Sequence, residues 1–336
     1  MKILITGHTG FKGSWLTFLL KELGHELYGY ALPPLKQSLF NESGLSKLYT
    51  REKYADIRDY QELLLSIKEN SPDVIFHLAA QPLVRYSYSN PEETFTVNVD
   101  GTLNTLRAYE QSESTSSLIV ITTDKVYRND ESGFPFNESD PLGGVDPYST
   151  SKAMADLLTQ SWSSSISNKR IAIARAGNVI GGGDFATDRL IPDLVRSIQE
   201  DRKPALRNPT SVRPWQHVLD CLNGYIHLLG ASTAIEHGSA WNFGPEHQDY
   251  RTVRDVTTQF ISNFNLAGWE EATHDSLHEA KFLTLNSNKA MAELNWYNRL
   301  DFEEAVKWTA EWYKDYLEGK PAFEITNNQV SKFLSL

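Results

Sequence analysis

Two groups of reactive side chains lie near each other in the first half of the chain. Thr123, Asp124 and Lys125 follow a hydrophobic run, and Tyr148 precedes Lys152 by four residues at the start of a predicted helix. This spacing places the phenol and the ammonium one turn apart on the same helix face. A nearby positive charge favours the phenolate and lowers a phenol pKa from its reference value of about 10. The pair is therefore suited to removing a proton from a hydroxyl group, although the same spacing is also found in ordinary exposed helix pairs.

A glycine-rich turn near the N-terminus has the form of a dinucleotide site. An apolar run at residues 2–6 is followed by three glycines and then by a helical pattern at residues 14–23. In such a turn the first glycine permits the tight bend, the second lets the backbone approach a pyrophosphate, and the third lets the helix pack on the strand. The free N–H groups of the helix N-terminus then bind the phosphates. The residues predicted to contact the cofactor here are Gly7, Thr9, Gly10, Phe11, Lys12 and Gly13.

The end of the second predicted strand, at residues 26–30, does not choose between NAD and NADP. Many dinucleotide-binding folds place an Asp or Glu at this point to bind the adenosine ribose. This chain continues instead with Ala31 and Leu32, and Lys36 is the only cation nearby. The choice between the two cofactors therefore stays open at this position.

Further cofactor contacts are predicted near three later strands. Asp56 could accept a hydrogen bond from the adenine amino group, or it could cap the helix predicted at residues 60–70. Small residues after the strand that begins at Val74 would leave room for a cofactor. Asn98, a polar residue in an apolar stripe, is either a water-mediated core tie or a support for the active-site backbone. The predicted contacts are Asp56, Ile57, Leu78, Ala79, Ala80, Asn98 and Thr122.

Strands alternate with helices in the first half of the chain, which indicates a mostly parallel sheet covered on both faces. Beyond residue 180 the pattern changes to loops and isolated helices, and residues 240–244 have the pattern of a strand that returns to the first sheet. The predicted fold class is therefore α/β, a Rossmann-type doubly wound parallel sheet with a smaller, interleaved α+β domain. We assign residues 1–180 to a dinucleotide-binding domain and 181–336 mainly to a substrate domain. Ligands of such sheets bind at the carboxyl ends of the strands.

The net charge of −11 argues against nucleic acid or an anionic membrane as a partner. An anionic ligand then requires a local cluster of cations, and arginine is suited to two-pronged contacts with a pyrophosphate. Arg189, Arg207 and Arg213 lie in the loop-rich second half of the chain. We predict that they hold such a group, the alternative being solvated loop charge.

Patterns for secretion, membrane insertion and metal binding are missing from the sequence. The chain starts with an apolar strand instead of a signal sequence, and no apolar run approaches the ~18 residues of a membrane span. Cys221 is the only cysteine, so a reducing, cytoplasmic location is expected. No metal site is predicted, because no metal-ligand spacing is found among the histidines considered: His8, His77, His217, His274 and His278.

Several segments that occur in order between residues 7 and 220 together resemble one protein family. They are GHTGFKG, HLAAQPLVRYSY, VNVDGT, TTDKVY, YSTSK, RAGNVIGGGDF and RNPTSVRPWQHVLD. On these segments the chain is similar to the extended short-chain dehydrogenase/reductases, and within them to the nucleotide-sugar 4,6-dehydratases that act on CDP-glucose. The dTDP-sugar relatives have Asp-Glu where this chain has Asp124 and Lys125. The resemblance implies NAD as cofactor, CDP-glucose as substrate, and a homodimer formed through helices at about 91–111 and 149–165.

The resemblance also implies roles for individual residues. Tyr148 takes the proton of the sugar 4-hydroxyl with Thr123 beside it, and Lys152 lies against the nicotinamide ribose. Asp124 protonates the departing 6-hydroxyl, Lys125 removes the C5 proton, and bound NAD accepts a hydride from C4 and returns it to C6. The remaining substrate contacts that the resemblance implies are Gln81, Arg85, Asn178, Arg189, Arg207, Arg213 and His217.

Two other functions are compatible with parts of this pattern. A nucleotide-sugar epimerase or decarboxylase of the same fold would use Tyr148 and Lys152 but would not need Asp124 as an acid. A non-catalytic nucleotide sensor would need none of the three.

The acid and base roles raise a question of protonation. Reference pKa values of about 3.9 for Asp and about 10.4 for Lys predict a charged pair at Asp124 and Lys125, which is the wrong state for an acid and a base. The neutral pair holds the same number of protons, and we expect desolvation in a closed site to favour it. Because adjacent strand residues point to opposite faces, the two must lie in the turn after the strand.

Overall fold

The computed structural model describes residues 1–231, 238–264, 266, 268–272 and 280–336, and the elements named below lie within these ranges. In chain order the strands are β1 Lys2–Thr6, β2 Glu26–Ala31, β3 Arg51–Tyr54, β4 Val74–His77, β5 Ser117–Ile121, β6 Arg170–Ala176, β7 Val179–Ile180, β8 Ala205–Leu206, β9 Val212–Arg213, β10 Gln216–His217, β11 Ala240–Phe243, β12 Arg251–Thr252 and β13 Glu270–Glu271. The α-helices are α1 Phe11–Glu22, α2 Leu39–Glu42, α3 Tyr60–Asn70, α4 Val84–Ser89, α5 Pro91–Phe95, α6 Gly101–Glu110, α7 Pro147–Ser165, α8 Leu190–Gln199, α9 Val218–Gly230, α10 Val253–Ser262, α11 Asn288–Leu294, α12 Phe302–Leu317 and α13 Ala322–Leu334.

The described strands build a seven-stranded parallel sheet in the order β11-β6-β5-β4-β1-β2-β3. Strands β4 and β5 read VIFH and SLIVI, and every residue in both is buried, as expected for strands covered on both faces. The chain runs outward from β1 to β3 and then returns to place β4 on the other side of β1. The connection after β1 therefore runs towards one edge of the sheet, and the connection after β4 runs towards the other edge. This divergence opens a crevice at the carboxyl ends of β1 and β4. The predicted Rossmann-type, doubly wound class is confirmed.

Helices cover both faces of the sheet. The face covered by α3, α6 and α7 includes Leu4, whereas the face covered by α1 and α9 includes Ile3 and Ile5. This division follows from the alternation of side chains along a strand. The strongly apolar β1 is thus buried from both sides, which fixes the position of the glycine turn that follows it.

The second half of the chain adds short strand pairs and further helices. The pairs are β7 with β10, β9 with β12, and β8 with β13. Strand β11 lies at the sheet edge beside β6, with Trp241 opposite Ala174. The tail beyond Pro321, for which no structure was predicted, forms α13, which packs on α1 and α2. The elements α9, α13 and β11 lie beyond residue 180 but belong to the unit built around the large sheet. The boundary at residue 180 therefore stays a prediction about which part of the chain binds the cofactor and which part binds the substrate.

Among the described residues, none of the helices is both long enough and apolar enough to cross a membrane. The described His, Cys, Asp and Glu side chains form no group of three or more that could hold a metal ion. His274 and His278 lie outside the described residues. Cys221 is a buried thiol whose Sγ lies 3.2 Å from the hydroxyl of Tyr225.

Asp220 is a buried carboxyl group in the first turn of α9. One of its oxygens accepts a hydrogen bond from the backbone N–H of Arg299 at 2.7 Å, and the other has no partner within the described residues. Burial raises the pKa of Asp220 to about 7, against the lowering effect of the hydrogen bond from Arg299. Because the folded state holds this proton more tightly than the unfolded state, the carboxyl stabilises the fold at low pH. That contribution is complete below about pH 4 and is lost as the pH rises through about 7.

We therefore expect Asp220→Asn to change the pH dependence of stability. The amide cannot ionise, so the melting temperature of the variant relative to the wild type should rise between pH 4 and pH 7, by about 5 °C. Thermal unfolding at a series of pH values measures this difference. Asp315→Asn, at an exposed carboxyl paired with Lys320, is the control. A melting-temperature difference for Asp220→Asn that does not change with pH would contradict the expectation.

Candidate active site

The glycine turn between β1 and α1 has no room for side chains at two of its three glycines. Gly7 has a φ of +75°, and a Cβ there would lie 2.7 Å from the backbone nitrogen of Ala79. A Cβ at Gly13 would lie 2.4 Å from the carbonyl oxygen of Gly7. At Gly10, by contrast, the nearest protein atom would be 3.4 Å away, and this residue begins α1 without a side-chain cap. The first N–H groups of α1 thus meet an open cradle, which fits the pyrophosphate of NAD.

A cavity of about 990 Å³ brings this turn together with the reactive side chains. It lies at the carboxyl ends of the strands, where the fold class predicts the ligand. The predicted site residues that line it are Gly7, Thr9, Gly10, Phe11, Lys12, Gly13, Asp56, Ile57, Leu78, Ala79, Ala80, Arg85, Thr122, Thr123, Asp124, Lys125, Tyr148, Lys152, Asn178, Arg189, Arg207 and Arg213.

Asn98 and Gln81 do not reach the cavity. The predicted helix at residues 91–111 is interrupted by a π-helical turn at Thr96–Asp100, and this turn directs Asn98 into the interior. Its amide accepts from the backbone N–H of Gln81 at 2.8 Å and donates to the Gln81 carbonyl at 3.1 Å and the Ser151 hydroxyl at 2.9 Å. The prediction that Asn98 and Gln81 contact ligands directly is therefore not met in this structure. Asn98 instead supports the backbone after β4, which is one of the two roles considered for it.

His217 is also outside the cavity. It is fully buried, its Nδ1 accepts a hydrogen bond from the backbone N–H of Leu219, and its ring packs edge-on against Trp15 and Trp308. Burial lowers the pKa of His217 to about 3, so the ring is neutral. The predicted substrate contact at His217 is wrong for this structure, because the side chain points into the core and caps α9.

Asp56 lines the cavity but does not cap the following helix. Asp59 makes that cap by accepting from the backbone N–H of Glu62 at 3.1 Å. The Asp56 carboxylate instead receives two hydrogen bonds from the Arg58 side chain, at 3.0 Å and 2.6 Å, and one from its backbone N–H. These bonds hold the pKa of Asp56 below its usual value. Of the two roles considered for Asp56, the helix cap is therefore wrong, and the adenine contact stays a prediction.

Tyr148 begins the active-site helix α7 and is buried beside Thr123. Burial raises the pKa of Tyr148 to about 12, while a hydrogen bond with Thr123 lowers it in part and the Asp124 charge raises it further. Lys152 does not offset this burial, because its ammonium donates to the carbonyl oxygen of Ile121 at 2.8 Å. The predicted lowering of the phenol pKa by Lys152 is thus not found in the structure as it stands.

Lys152 has an unusual environment for a lysine. Burial lowers its pKa to about 8, the nearby ammonium of Lys12 lowers it further, and Asp156 one turn along α7 opposes both effects. The Lys12 ammonium itself lies 3.3 Å from the hydroxyl of Tyr225. A group with a pKa close to neutral can gain or lose a proton at a small cost in free energy. This property suits a site that removes and returns a hydroxyl proton.

Asp124 and Lys125 lie in a single 3₁₀ turn, Asp124–Val126, that follows β5. The hydroxyl of Thr123 donates to one Asp124 oxygen at 2.9 Å, and the other oxygen has no partner among the described residues. Burial raises the pKa of Asp124, against the lowering effect of the Lys125 charge. The turn therefore presents a carboxyl group that desolvation favours in its protonated form, beside a lysine, both at the cavity wall.

Two of the arginines predicted to contact the substrate share one carboxylate. Asp188 accepts from Arg85 Nε at 3.2 Å and from Arg207 Nη1 at 3.1 Å, and all three line the cavity. Asp188 has a φ of +59°, in the left-handed region that non-glycine residues rarely adopt. The structure thus brings Arg85 and Arg207 together although 122 positions separate them in the chain.

The other two arginines that line the cavity have different partners. Arg189 pairs with Asp184 at 2.9 Å, and this carboxylate raises the pKa of Arg189. Arg213 is buried and donates to the backbone carbonyls of Val212 at 2.8 Å and Ala280 at 2.5 Å. A cavity lined by a glycine cradle, by a Tyr, Lys, Asp and Thr group, and by arginines has the chemistry needed to bind a dinucleotide beside a second phosphorylated ligand.

Comparison with known proteins agrees with this geometry. Residues 4–309 match the family described as GDP-mannose 4,6 dehydratase. The chain belongs to the GDP-mannose 4,6-dehydratase family. A CDP-glucose 4,6-dehydratase of Salmonella typhimurium is 39% identical, in an alignment that covers 99% of this chain and 96% of that protein. A CDP-paratose 2-epimerase of Salmonella typhi is 33% identical, over 73% of this chain and 79% of the relative.

A solved structure extends the match to three dimensions. The dTDP-glucose 4,6-dehydratase of Bacillus anthracis, in complex with NAD, superposes with a TM-score of 0.82 at 25% identity and covers 95% of this chain and 98% of that one. Together with the family match, this similarity confirms the prediction of an NAD-dependent nucleotide-sugar dehydratase.

Arg58 and Asp188 are among the residues of this dehydratase cavity that were not predicted from the sequence. For Arg58 a local signal existed, because it stands two residues after Asp56 at a strand end, where a short loop can bring the side chains together. For Asp188 no local signal existed, since its partner Arg85 precedes it by 103 positions. Only the fold brings these two side chains together.

Proposed function

We propose that this member of the family is a CDP-glucose 4,6-dehydratase, which converts CDP-glucose into the 4-keto-6-deoxy sugar nucleotide and water. The proposal is supported by the turn with Asp124 and Lys125, whose carboxyl group and amino group line one cavity with Tyr148. Both sequence relatives described above are named for CDP-linked sugars, and this supports cytosine as the base.

The cofactor would be held by the glycine turn and the N-terminus of α1 on one side, and by the small residues after β4 on the other. Bound NAD supplies the redox chemistry by accepting the hydrogen of C4 and giving it back to C6. Phe11 and Lys12 add N–H groups of the first helical turn to the cradle. Lys152 would leave the carbonyl of Ile121 for the ribose beside the nicotinamide.

The protein groups would carry the protons of each step. Tyr148, assisted by Thr123, takes the proton of the 4-hydroxyl, and the ketone that forms at C4 acidifies the hydrogen on C5. Lys125 removes that proton while Asp124 gives its own proton to the 6-hydroxyl, which departs as water. Lys125 then returns a proton to C5, and the proton that Tyr148 took from the 4-hydroxyl passes through solvent to Asp124, so the protein and the cofactor end in their starting states.

Product formation from several sugar nucleotides tests the proposal. The purified protein is incubated with NAD and with CDP-glucose, UDP-glucose, dTDP-glucose or GDP-mannose, and the alkali-induced absorbance of a 4-keto-6-deoxy sugar is followed. We expect CDP-glucose to react at least about tenfold faster than the others, the effect of one good base-specific contact. Faster reaction of another nucleotide would show that the base assignment is wrong.

An epimerase is the second candidate, because one of the relatives described above is a CDP-paratose 2-epimerase. An epimerase returns a product of the same mass, whereas the dehydratase product lacks one water. Mass spectrometry of the CDP-sugar after incubation therefore separates the two. The buried Asp124, whose second oxygen has no partner in the described part of the chain, favours the dehydratase, since an epimerase has no leaving hydroxyl to protonate.

The proposed functional unit is a homodimer that pairs through α7 and the helices before it. On the outer face of α7, Met154 and Leu157 are 44% and 51% exposed, and they are one turn apart. Exposed neighbouring apolar side chains on a long helix are typical of a helix that pairs with another subunit. The predicted helices at 91–111 and 149–165 meet here, although the first is divided into α5, a π-helical turn and α6.

Charged residues on this face should separate the subunits. We expect Met154→Glu combined with Leu157→Glu to lower the molar mass in solution from that of a dimer to that of a monomer, because like charges would face each other across the two-fold axis. Light scattering after size-exclusion chromatography measures this. Leu65→Glu, at an equally exposed leucine on α3, is the control and should stay dimeric. A double variant with the wild-type mass would place the interface elsewhere.

A further inference from the structure

A buried ion pair lies behind the candidate active site and connects β6 to α7. Arg175 on β6 donates to both carboxylate oxygens of Asp156, through Nε at 2.9 Å and Nη2 at 2.8 Å. The two side chains are 1% and 0% exposed. A bidentate pair of this kind fixes relative orientation as well as distance. Because Asp156 follows Lys152 by four residues on α7, the pair also fixes the rotation of the active-site helix.

The same pair holds both ends of the turn that contains Asp124 and Lys125. On the N-terminal side, the hydroxyl of Thr122 donates to Asp156 Oδ2 at 2.9 Å. On the C-terminal side, the hydroxyl of Tyr127 accepts from Arg175 Nη1 at 2.9 Å.

Tyr127 has a second anchor on the far side of β6. Its hydroxyl donates to the Asn242 side-chain oxygen on β11 at 2.7 Å, and its ring stacks on Phe136 at 4.9 Å. The hydroxyl therefore accepts one hydrogen bond from Arg175 and donates another to Asn242, and both partners are buried. This arrangement leaves the residue after the turn with a single orientation.

The turn needs such external anchors because its own hydrogen bonds are long. The backbone N–H of Val126 reaches the Thr123 carbonyl at 3.4 Å, and the N–H of Lys125 reaches the Thr123 hydroxyl at 3.4 Å. Both distances exceed the usual range for an N–H to oxygen hydrogen bond. The position of the acid and the base therefore depends on the residues at the two ends of the turn.

Tyr148 is held by different contacts. Its backbone N–H donates to the Ser87 hydroxyl at 3.2 Å, and its carbonyl accepts from Ser151 at 2.7 Å. Neither contact includes Tyr127 or Arg175. The Tyr127 hydroxyl thus supports the groups that act at C5 and C6 without contacting the backbone of Tyr148, the group that acts on the 4-hydroxyl.

We propose that the buried pair of Asp156 and Arg175 positions the acid and the base for the elimination of water, acting through the hydroxyls of Thr122 and Tyr127. This proposal rests on the dehydratase reaction proposed above but not on the base of the nucleotide. It adds a positioning function to four side chains, none of which reacts. Loss of one anchor should therefore slow elimination more than oxidation.

Tyr127→Phe, which removes a single hydroxyl, is the test, and Tyr109→Phe is its matched control. Tyr109 is as buried as Tyr127. Its hydroxyl donates to the carbonyls of Ser116 and Arg170 at the amino ends of β5 and β6, whereas Tyr127 lies near the carboxyl ends of these strands. Two rates are measured with whichever nucleotide sugar the wild type dehydrates. The first is C4 oxidation, followed as single-turnover absorbance of the reduced nicotinamide, and the second is exchange of the C5 hydrogen with solvent deuterium.

We expect Tyr127→Phe to lower the ratio of C5 exchange to C4 oxidation about tenfold, since small displacements of reacting groups have effects of this size or larger. Tyr109→Phe should leave the ratio within about twofold of the wild type even if it lowers the melting temperature as much. Thr122→Val, which removes the other anchor, should change the ratio in the same direction and decides the question if Tyr127→Phe does not fold.

An unchanged ratio in the folded variant, or an equal change in Tyr109→Phe, would overturn the proposal. Absence of dehydration in the wild type with every nucleotide tested would instead overturn the proposed function, and the positioning proposal with it.

Discussion

Tyr148→Phe is expected to abolish the first step of the reaction. The variant keeps the ring and its packing but loses the oxygen that takes the proton of the 4-hydroxyl, so C4 oxidation should fall by at least about 100-fold, the usual contribution of general base catalysis. Single-turnover absorbance of the reduced nicotinamide measures this step directly. Binding of the sugar nucleotide, measured by calorimetry, should change little, because the ring still fills its place in the cavity wall.

A matched phenylalanine variant controls for nonspecific effects. Tyr297 is about half exposed and does not line the cavity, so Tyr297→Phe should oxidise C4 at the wild-type rate. A Tyr148→Phe variant that oxidises C4 within about twofold of the wild type would remove Tyr148 from the role of base and point to another group.

Substitutions of Asp124 and Lys125 are expected to stop the reaction after oxidation, at two different points. Lys125→Met removes the base, so exchange of the C5 hydrogen with solvent deuterium should disappear while C4 oxidation continues. Asp124→Asn cannot protonate the 6-hydroxyl, so C5 exchange should continue while release of water falls by at least about 100-fold. Asparagine has the shape of a protonated aspartate and can still accept the hydrogen bond from Thr123, so the variant should fold normally.

Deuterium content at C5 and formation of the 4-keto-6-deoxy product, measured on the same samples, separate the two variants. Undiminished exchange in Lys125→Met would show that another base removes the C5 proton. Full product formation by Asp124→Asn would show that the 6-hydroxyl is protonated by a different group or by water. Either result would leave the family assignment intact and move the elimination chemistry to other side chains.

The parts of the site that could be predicted from the sequence are those set by local spacing. Gly7, Gly10 and Gly13 lie between a strand and a helix, and Tyr148 and Lys152 lie one turn apart, so each group is positioned by a single element or turn. Parallel strands then bring their carboxyl ends to one edge of the sheet, and this places both groups in one cavity without further information.

The predictions that were wrong concern side chains whose direction is decided by distant contacts. Asp56 and Asp59 both precede α3, and Asp59 caps it because the helix begins at the next residue, whereas Asp56 bonds Arg58. Asn98 turns inward because a π-helical turn interrupts its helix. His217 lies between two buried tryptophans that precede and follow it by many residues. A polar residue in a mixed stretch has the same sequence pattern whether it faces a cavity or the core.

The order of elements in the chain also bears on how this protein is made. Strand β11 completes one edge of the sheet, and α13, at the end of the chain, covers α1, whose N-terminus forms the phosphate cradle. Phe323 of α13 packs on Phe18 of α1 with ring centroids 5.1 Å apart. The outer face of α1 is therefore buried by a segment that lies far along the chain from it, so the cover of the cradle helix depends on contacts that are long-range in sequence. Such contacts form late in folding, and the nucleotide-binding unit stays incomplete until they do.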